Sequence, residues 1–142
     1  MAIVLRPVTD QDSERLLAWR NDPVTRANSR RGHILTWEEL IAVPAGTRRE
    51  TFVALSDGDP VGSVRFDYAG AECELSWTVA PEKRGRGFGR AMVAAAMAVA
   101  RADKLIAAIK PGNPASRRIA ESLGFIESEH RDGLEIWRRD RL

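Results

Sequence analysis

The stretch "RGRGFGRA", Arg84 to Ala91, sets three glycines at alternate positions between three arginines. It follows the alternating run "ECELSWTVA" and precedes the Ala-rich run that continues to Ala102. The alternating run reads as a half-buried strand and the Ala-rich run as a helix packed closely on a sheet. The next apolar run, "LIAAIK", suits the interior of a sheet. A strand, a glycine turn, a helix and an interior strand in that order demand an α/β domain. The glycines cost backbone entropy and pack nothing, so the turn must need their conformational freedom.

The elements around this unit follow from local signals. "AIVLRPV" is a short strand ended by Pro7. Thr9 with Asp12 makes a near capping box for a helix carrying Leu16, Leu17 and Trp19, which "NDP" at 21–23 breaks. Thr36 with Glu39 opens a second helix bearing Leu40 and Ile41. "TFVAL", the turn "DGDP" and "VGSVRFDY" predict a hairpin. In the strand that follows, Glu72, Glu74, Ser76 and Thr78 share one face, and Cys73, Leu75, Trp77 and Val79 the other. After the glycine turn a helix is expected from about Phe88 to Ala102. "NPASRRIAESLGF" is a helix with Asn113 as cap, Pro114 at its first position and Gly124 as its stop. "IESEHRDGLEIWRR" is a last hairpin around Asp132-Gly133. The expectation is one α/β (α+β) domain over 1–142, with a mixed central sheet of about seven strands flanked by four helices.

With 142 residues the chain buries one sizeable core. Its single cysteine, Cys73, builds neither a disulfide framework nor a thiolate zinc site, and no metal is expected. The apolar run at the N-terminus is too short for a signal peptide, and Ala91 to Ala100 is too short to span a bilayer, so the expected location is the cytoplasm. A net charge of +2 is too small for a dedicated nucleic-acid binder. The basic residues cluster instead at 26–31, 83–90 and 138–141, which fits local anion binding.

A glycine loop at a helix start offers unpaired N–H groups and the positive end of the helix dipole. Arg84, Arg86 and Arg90 add charged donors, and a pyrophosphate is the best-fitting ligand. The spacing G-x-G-x-G is neither the dinucleotide fingerprint nor a Walker loop, which needs Gly-Lys-Ser/Thr. A tight turn with solvated arginines is the bland alternative.

"VAPEKRGRGFGRA" resembles the R-x-x-G-x-G pyrophosphate loop of the GNAT superfamily of N-acetyltransferases, with Arg84, Gly87 and Gly89 in the motif positions. "NPASRRIAESLGF" resembles the family's N-x-x-S...L-G-F segment, and "AECELSWTVAPE" its preceding strand. The resemblance covers the whole chain, most specifically residues 71 to 125. It implies acetyl-CoA as co-substrate, held by Trp77, Thr78 and Val79 along the pantetheine, by Arg84, Gly85, Arg86, Gly87, Phe88, Gly89 and Arg90 at the pyrophosphate, and by Asn113 and Ser116 near the thioester.

It also implies direct attack of an amine on the thioester, with Glu74 at the position of the family's general base and Glu72 as the backup carboxylate. The tyrosine that many members use to protonate the leaving thiolate has no counterpart, because its place is Ala120 and the only tyrosine is Tyr68. Ser116 is the nearest motif hydroxyl. His33 and His130 are lone histidines, and Cys73 faces away from Glu74, which argues against a cysteine nucleophile.

The acceptor side would be built from "LLAWRNDPVTRANSRRGHILTWEE". Its Trp19, Arg20, Asn21 and Arg26, followed by His33 to Glu39, resemble the branch acting on nucleotide-linked amino sugars. "SRRIAESLGF" equally resembles the acetylases of ribosomal-protein N-termini. Arg30, Arg31 and Trp37 extend the candidate set, against the plain reading of a solvated basic face and core tryptophans. The expected partner is a small-molecule amine rather than nucleic acid or membrane, with a homodimer left open. A non-catalytic acyl-CoA sensor is the competing class.

Overall fold

The computed structural model of the chain describes residues 1–140. Arg141, the last member of the C-terminal basic cluster, lies outside the described residues. Seven strands form one sheet in the order β1-β2-β3-β4-β5-β7-β6. They are β1 (Val4–Pro7), β2 (Arg48–Ser56), β3 (Asp59–Ala69), β4 (Glu72–Val79), β5 (Lys104–Ile109), β6 (Ile126–Arg131) and β7 (Leu134–Asp140). All neighbours are antiparallel except β4 and β5, which the helix following the glycine turn connects as a parallel pair. The α-helices are α1 (Ser13–Asn21), α2 (Pro23–Ala27), α3 (Trp37–Ile41), α4 (Phe88–Val99) and α5 (Pro114–Ser122).

The turn chemistry sets the registers. Asp57-Gly58 and Asp132-Gly133 both take positive φ at both positions, the geometry of a two-residue turn that matches strand twist. They join β2 to β3 and β6 to β7. The capping signals also behave as read. The Glu39 amide donates to Thr36 Oγ1 at 3.2 Å, and the Thr36 amide donates to Glu39 Oε1 at 3.0 Å. Asn113 Oδ1 accepts from the Ser116 amide at 3.2 Å, and Gly124 ends the helix at φ +87°.

Two helical expectations are corrected. Among the described residues there are five α-helices rather than four, because "NDP" does not only break α1. The Asp22 side chain accepts from the Val24 and Thr25 amides, and Pro23 sits at the first position of α2. The same residues that stop one helix start the next. The glycine-turn helix ends at Val99 rather than Ala102. Ala100 turns extended and is fully buried, and the Arg101 amide donates to the Tyr68 hydroxyl at 3.3 Å. That stop is tertiary, so no local residue announces it.

The main core lies between the sheet and α4 and α5, around Phe66, Leu75, Met92, Val93, Leu105 and Trp137. Cys73 belongs to it, and burial pushes its thiol up to about 12, so it supplies no nucleophile at neutral pH. A smaller cluster of Leu16, Trp19, Val53 and Ala80 packs α1 on the other face.

Asp12 anchors that second face. It is 3% exposed and accepts from Arg6 Nη2 at 2.8 Å and Nη1 at 3.0 Å. The Arg6 hydrogen bonds lower its carboxyl from the ordinary 3.8 to about 2. The folded state therefore holds its proton less tightly than the unfolded chain. The stabilisation is complete above pH 3.8 and disappears as pH falls through about 2. Asp12→Asn is expected to cost about 2 kcal/mol at pH 7. Urea unfolding should show the variant and the wild type converging near pH 2.

Candidate active site

The parallel pairing of β4 with β5 is short. It runs over Glu72↔Lys104, Cys73↔Leu105 and Glu74↔Ile106, and then stops. Beyond it, Leu75–Val79 pairs only with β3, and Ala107–Ile109 only with β7. Two strand edges with unpaired N–H and C=O groups therefore part from a common apex at Glu74. An extended chain with its own amides can add itself to such an edge. On its other side β4 is closely packed. A Cβ at Gly62 would overlap the Thr78 carbonyl oxygen and lie 2.6 Å from Met92 Cε, so the backbone of β3 approaches β4 there as only glycine allows.

The glycine turn sits at the mouth of this wedge. Gly85 (φ +75°) and Gly87 (φ +83°) are left-handed, and open space surrounds both. Alternating conformations of this kind turn successive N–H groups inward as a nest for anions. Gly87 is also the N-cap of α4 and carries no side chain to bond the first-turn amides. By contrast, Asp22, Thr36 and Asn113 cap α2, α3 and α5. No acidic residue lies in the first turn of α4, so its positive end stays available. Gly89 is buried, and a Cβ there would lie 2.8 Å from Ile119 Cδ1 and 3.3 Å from Val79 Cγ2. This residue seats the helix start against α5 and the end of β4.

The arginines of the turn differ. Arg84 donates to Asp22 Oδ2 and, at 2.9 Å, to Thr25 Oγ1, which ties the turn to the start of α2. That guanidinium holds the Asp22 carboxyl below the usual range. Arg90 Nε donates to Ser122 Oγ at 3.2 Å. Arg86 is exposed.

Glu74 stands at the apex, at the last paired position, with its side chain 28% exposed. Arg30 Nη2 donates to its Oε2 at 3.2 Å. Glu72, the backup carboxylate, stands two residues inside the paired stretch and accepts from Arg138 Nη1 at 2.8 Å. Only Glu74 thus borders the opening. At the start of α5, Asn113 Nδ2 donates to Ser116 Oγ at 3.0 Å. This uses an acceptor position of the hydroxyl and leaves its proton free to donate elsewhere. Ala120 is fully buried. Tyr68 meets the C-terminal end of α4, about 18 Å of helix away from the glycine turn.

On the acceptor side, two of the four candidates serve the fold. Trp19 is 7% exposed, and its indole packs among Leu16, Val53 and Ala80. Asn21 donates to the Leu35 carbonyl and accepts from the Leu35 amide, both at 2.9 Å, pinning the 28–36 segment to α1. Trp19 thus packs the core and Asn21 clamps the 28–36 segment, which gives each a structural role. Arg20 and Arg26 remain, and β3 adds a residue that sequence reading missed, Arg65. It lies opposite Ser76 on the face of Glu74, and the alternation of β3 together with its hairpin register was the available signal.

His33 pairs with Glu39 at 3.5 Å, and His130 with Glu127 at 3.0 Å. Glu127, His130 and Glu135 bring ligand atoms within 4.8 Å of one another. Glu135 there is bonded to Trp137 Nε1 and lies 2.9 Å from Arg117 Nε, so the group is an ion-pair cluster of the last hairpin.

The profile of the acetyltransferase (GNAT) domain matches residues 2–126. The chain belongs to the GNAT family. Acetyl-CoA-dependent acyl transfer comes with that membership. No curated protein sequence matches the chain. Solved structures share its fold at low identity. A domain from Methanocaldococcus jannaschii superposes with a TM-score of 0.81 at 24% identity, covering 98% of each chain. An aminoglycoside acetyltransferase in complex with coenzyme A gives 0.79 at 19%, covering 99% of this chain and 95% of the other. Spermidine N-acetyltransferase from Vibrio cholerae, with CoA and spermine, gives 0.78 at 18%, covering 96% and 92%. Among the described residues no helix is long and apolar enough to cross a membrane.

Proposed function

We propose that this GNAT domain acetylates a primary amine of a small molecule by direct attack on the thioester of acetyl-CoA. The open edge beyond Glu74↔Ile106, beside the uncapped glycine turn, carries the reading. Pantetheine lies along Trp77 to Val79, and the pyrophosphate rests on residues 84–90. A thioester held extended at the apex meets an amine that approaches over the Glu74 face, which removes the entropy cost of bringing the two together. The neutral amine attacks the carbonyl carbon. Its excess proton passes to Glu74, directly or through one water, and the C–S bond breaks. The Ser116 hydroxyl, positioned by Asn113, hydrogen-bonds the departing sulfur. The protein works in the cytoplasm, without nucleic acid or membrane.

The finer reading is a nucleotide-linked amino sugar as acceptor. The basic acceptor side supports it, since Arg20, Arg26, Arg30 and Arg31 suit a diphosphate better than a cationic substrate. With Trp19 in the core, a sugar ring would rest on Trp37, which is partly buried. The aminoglycosides and spermine of the structural neighbours are polycations, which this basic side would repel.

Thiol release with acetyl-CoA decides the matter. A UDP-linked amino sugar is expected to exceed the same sugar without UDP by at least tenfold in kcat/KM. Equal values would remove the nucleotide. Faster turnover of a basic peptide would substitute the acetylation of protein N-termini. Binding of acetyl-CoA with no thiol release from any acceptor would make the chain a sensor.

A further inference from the structure

The segment after α2 folds back on α1 and α2. Arg20 donates to the Arg31 carbonyl, Ser29 Oγ donates to the Thr25 carbonyl at 2.6 Å, and the Ser29 amide donates to the Arg26 carbonyl at 3.2 Å. The fold-back gathers Arg20, Arg26 and Arg31 at one place, and Arg65 of β3 comes up from the sheet beneath. Their proximity registers in Arg20, whose guanidinium is shifted down by burial and then by the charges of Arg31, Arg65 and Arg26.

Among the described residues, Arg20, Arg26 and Arg31 have no carboxylate partner. Asp67 and Glu74, the carboxylates that act on Arg65, are already engaged. Glu74 pairs with Arg30, and Asp67 pairs with Arg49 at 2.7 Å and with Arg65 at 3.2 Å. Arg20 Nη1 and Arg26 Nε are out of solvent contact and have no hydrogen-bond partner. Folded proteins rarely leave buried charged donors unmatched, and a bound water or anion is what would satisfy these two. Gathering like charges adds a second cost, which a counter-charge would remove.

We infer that Arg20, Arg26 and Arg31, with Arg65 below them, form a subsite for one compact oxyanion, a carboxylate or a phosphate, carried by the acceptor on the same sheet face as Glu74. Resting on the acetyltransferase reading for its role in the reaction, this names the acceptor as an amine that also bears an acid. The subsite is separate from the glycine turn, which has its own N–H donors and arginines. Guanidinium groups suit it because their planar forks match two oxygens at once. An amine bearing only positive charge would find no partner there.

The test is calorimetric titration of the full chain at fixed ionic strength, with inorganic phosphate and with acetate as probes. It is run on protein saturated with CoA, so that the glycine turn is filled, and on Gly87→Asp, whose turn repels anions. One saturable anion site is expected in both. Its affinity should fall at least tenfold in Arg26→Gln and recover in part in Arg26→Lys, while the affinity for CoA stays within twofold. Tighter phosphate than acetate would identify a phosphorylated acceptor, and the reverse a carboxylated one. The subsite is overturned if neither probe binds Gly87→Asp, or if Arg26→Gln binds as the wild type does. Failure of CoA to bind the wild type would count against the acetyltransferase reading alone, because the Gly87→Asp titration still reports on the arginines.

Discussion

Gly87→Asp is expected to abolish acetyl-CoA binding while leaving a folded protein. The substitution acts in three ways at one atom position. Residue 87 holds φ +83°, where a side chain is strained, although aspartate tolerates it better than most residues. Its carboxylate would cap the first-turn amides of α4 that an incoming phosphate needs. It would also place negative charge where the pyrophosphate must sit. No neighbouring atom lies within 4 Å of a Cβ at this position, so the core is untouched. In the wild type, ligand bound only to the native state raises the apparent Tm by mass action, with about 2.7 kcal/mol gained at a hundredfold excess over Kd. The variant should show no such rise with millimolar acetyl-CoA, and its unliganded Tm should change little. A full thermal shift in Gly87→Asp would remove the glycine turn from the binding site.

The sequence made that turn legible because its signals are local. Alternate glycines, flanking arginines and a following apolar helix are all readable without knowing what packs where. The same holds for the Thr36–Glu39 box, the Asn113 cap and the two Asp-Gly hairpins. The face of β4 was legible too, since a strict two-residue period placed Glu74 opposite Cys73. What stayed hidden is non-local. The stop of α4 at Val99 depends on Tyr68, thirty-odd residues earlier in the chain. The apex at Glu74 depends on how far two strands remain paired, a property of both together. Trp19 and Arg20 are adjacent, yet one packs in the core and the other joins the arginines. The helix rotation that separates them emerges only once α1 docks on Val53 and Ala80. Arg65 escaped notice because a lone arginine in a strand carries no motif.

Glu74→Gln is expected to lower kcat by about 10²–10³-fold at pH 7, within the range of general base catalysis, and to leave acetyl-CoA affinity unchanged. The amide keeps the size and a hydrogen-bonding oxygen of the carboxylate but accepts no proton. Cofactor affinity should hold because the turn at 84–90 lies beyond the far end of β4. The sign of the pH dependence follows from the acceptor. A primary amine is mostly protonated at pH 7, and the wild type supplies a group to take its proton. As pH rises toward the amine's own pKa, the free amine becomes abundant and solvent hydroxide takes over part of the work. The deficit of Glu74→Gln should therefore shrink steadily with rising pH. Arg30 sharpens the experiment. Its guanidinium donates to Glu74 at 3.2 Å, so part of any defect in Glu74→Gln stems from a loosened 28–36 segment rather than a missing base. Arg30→Gln separates the two effects, since it loosens the same contact and leaves the carboxylate in place. It should retain a wild-type pH profile with a raised acceptor KM. If Glu74→Gln instead showed a pH-independent deficit equal to that of Arg30→Gln, Glu74 would be a positioning residue and the proton would leave by water alone.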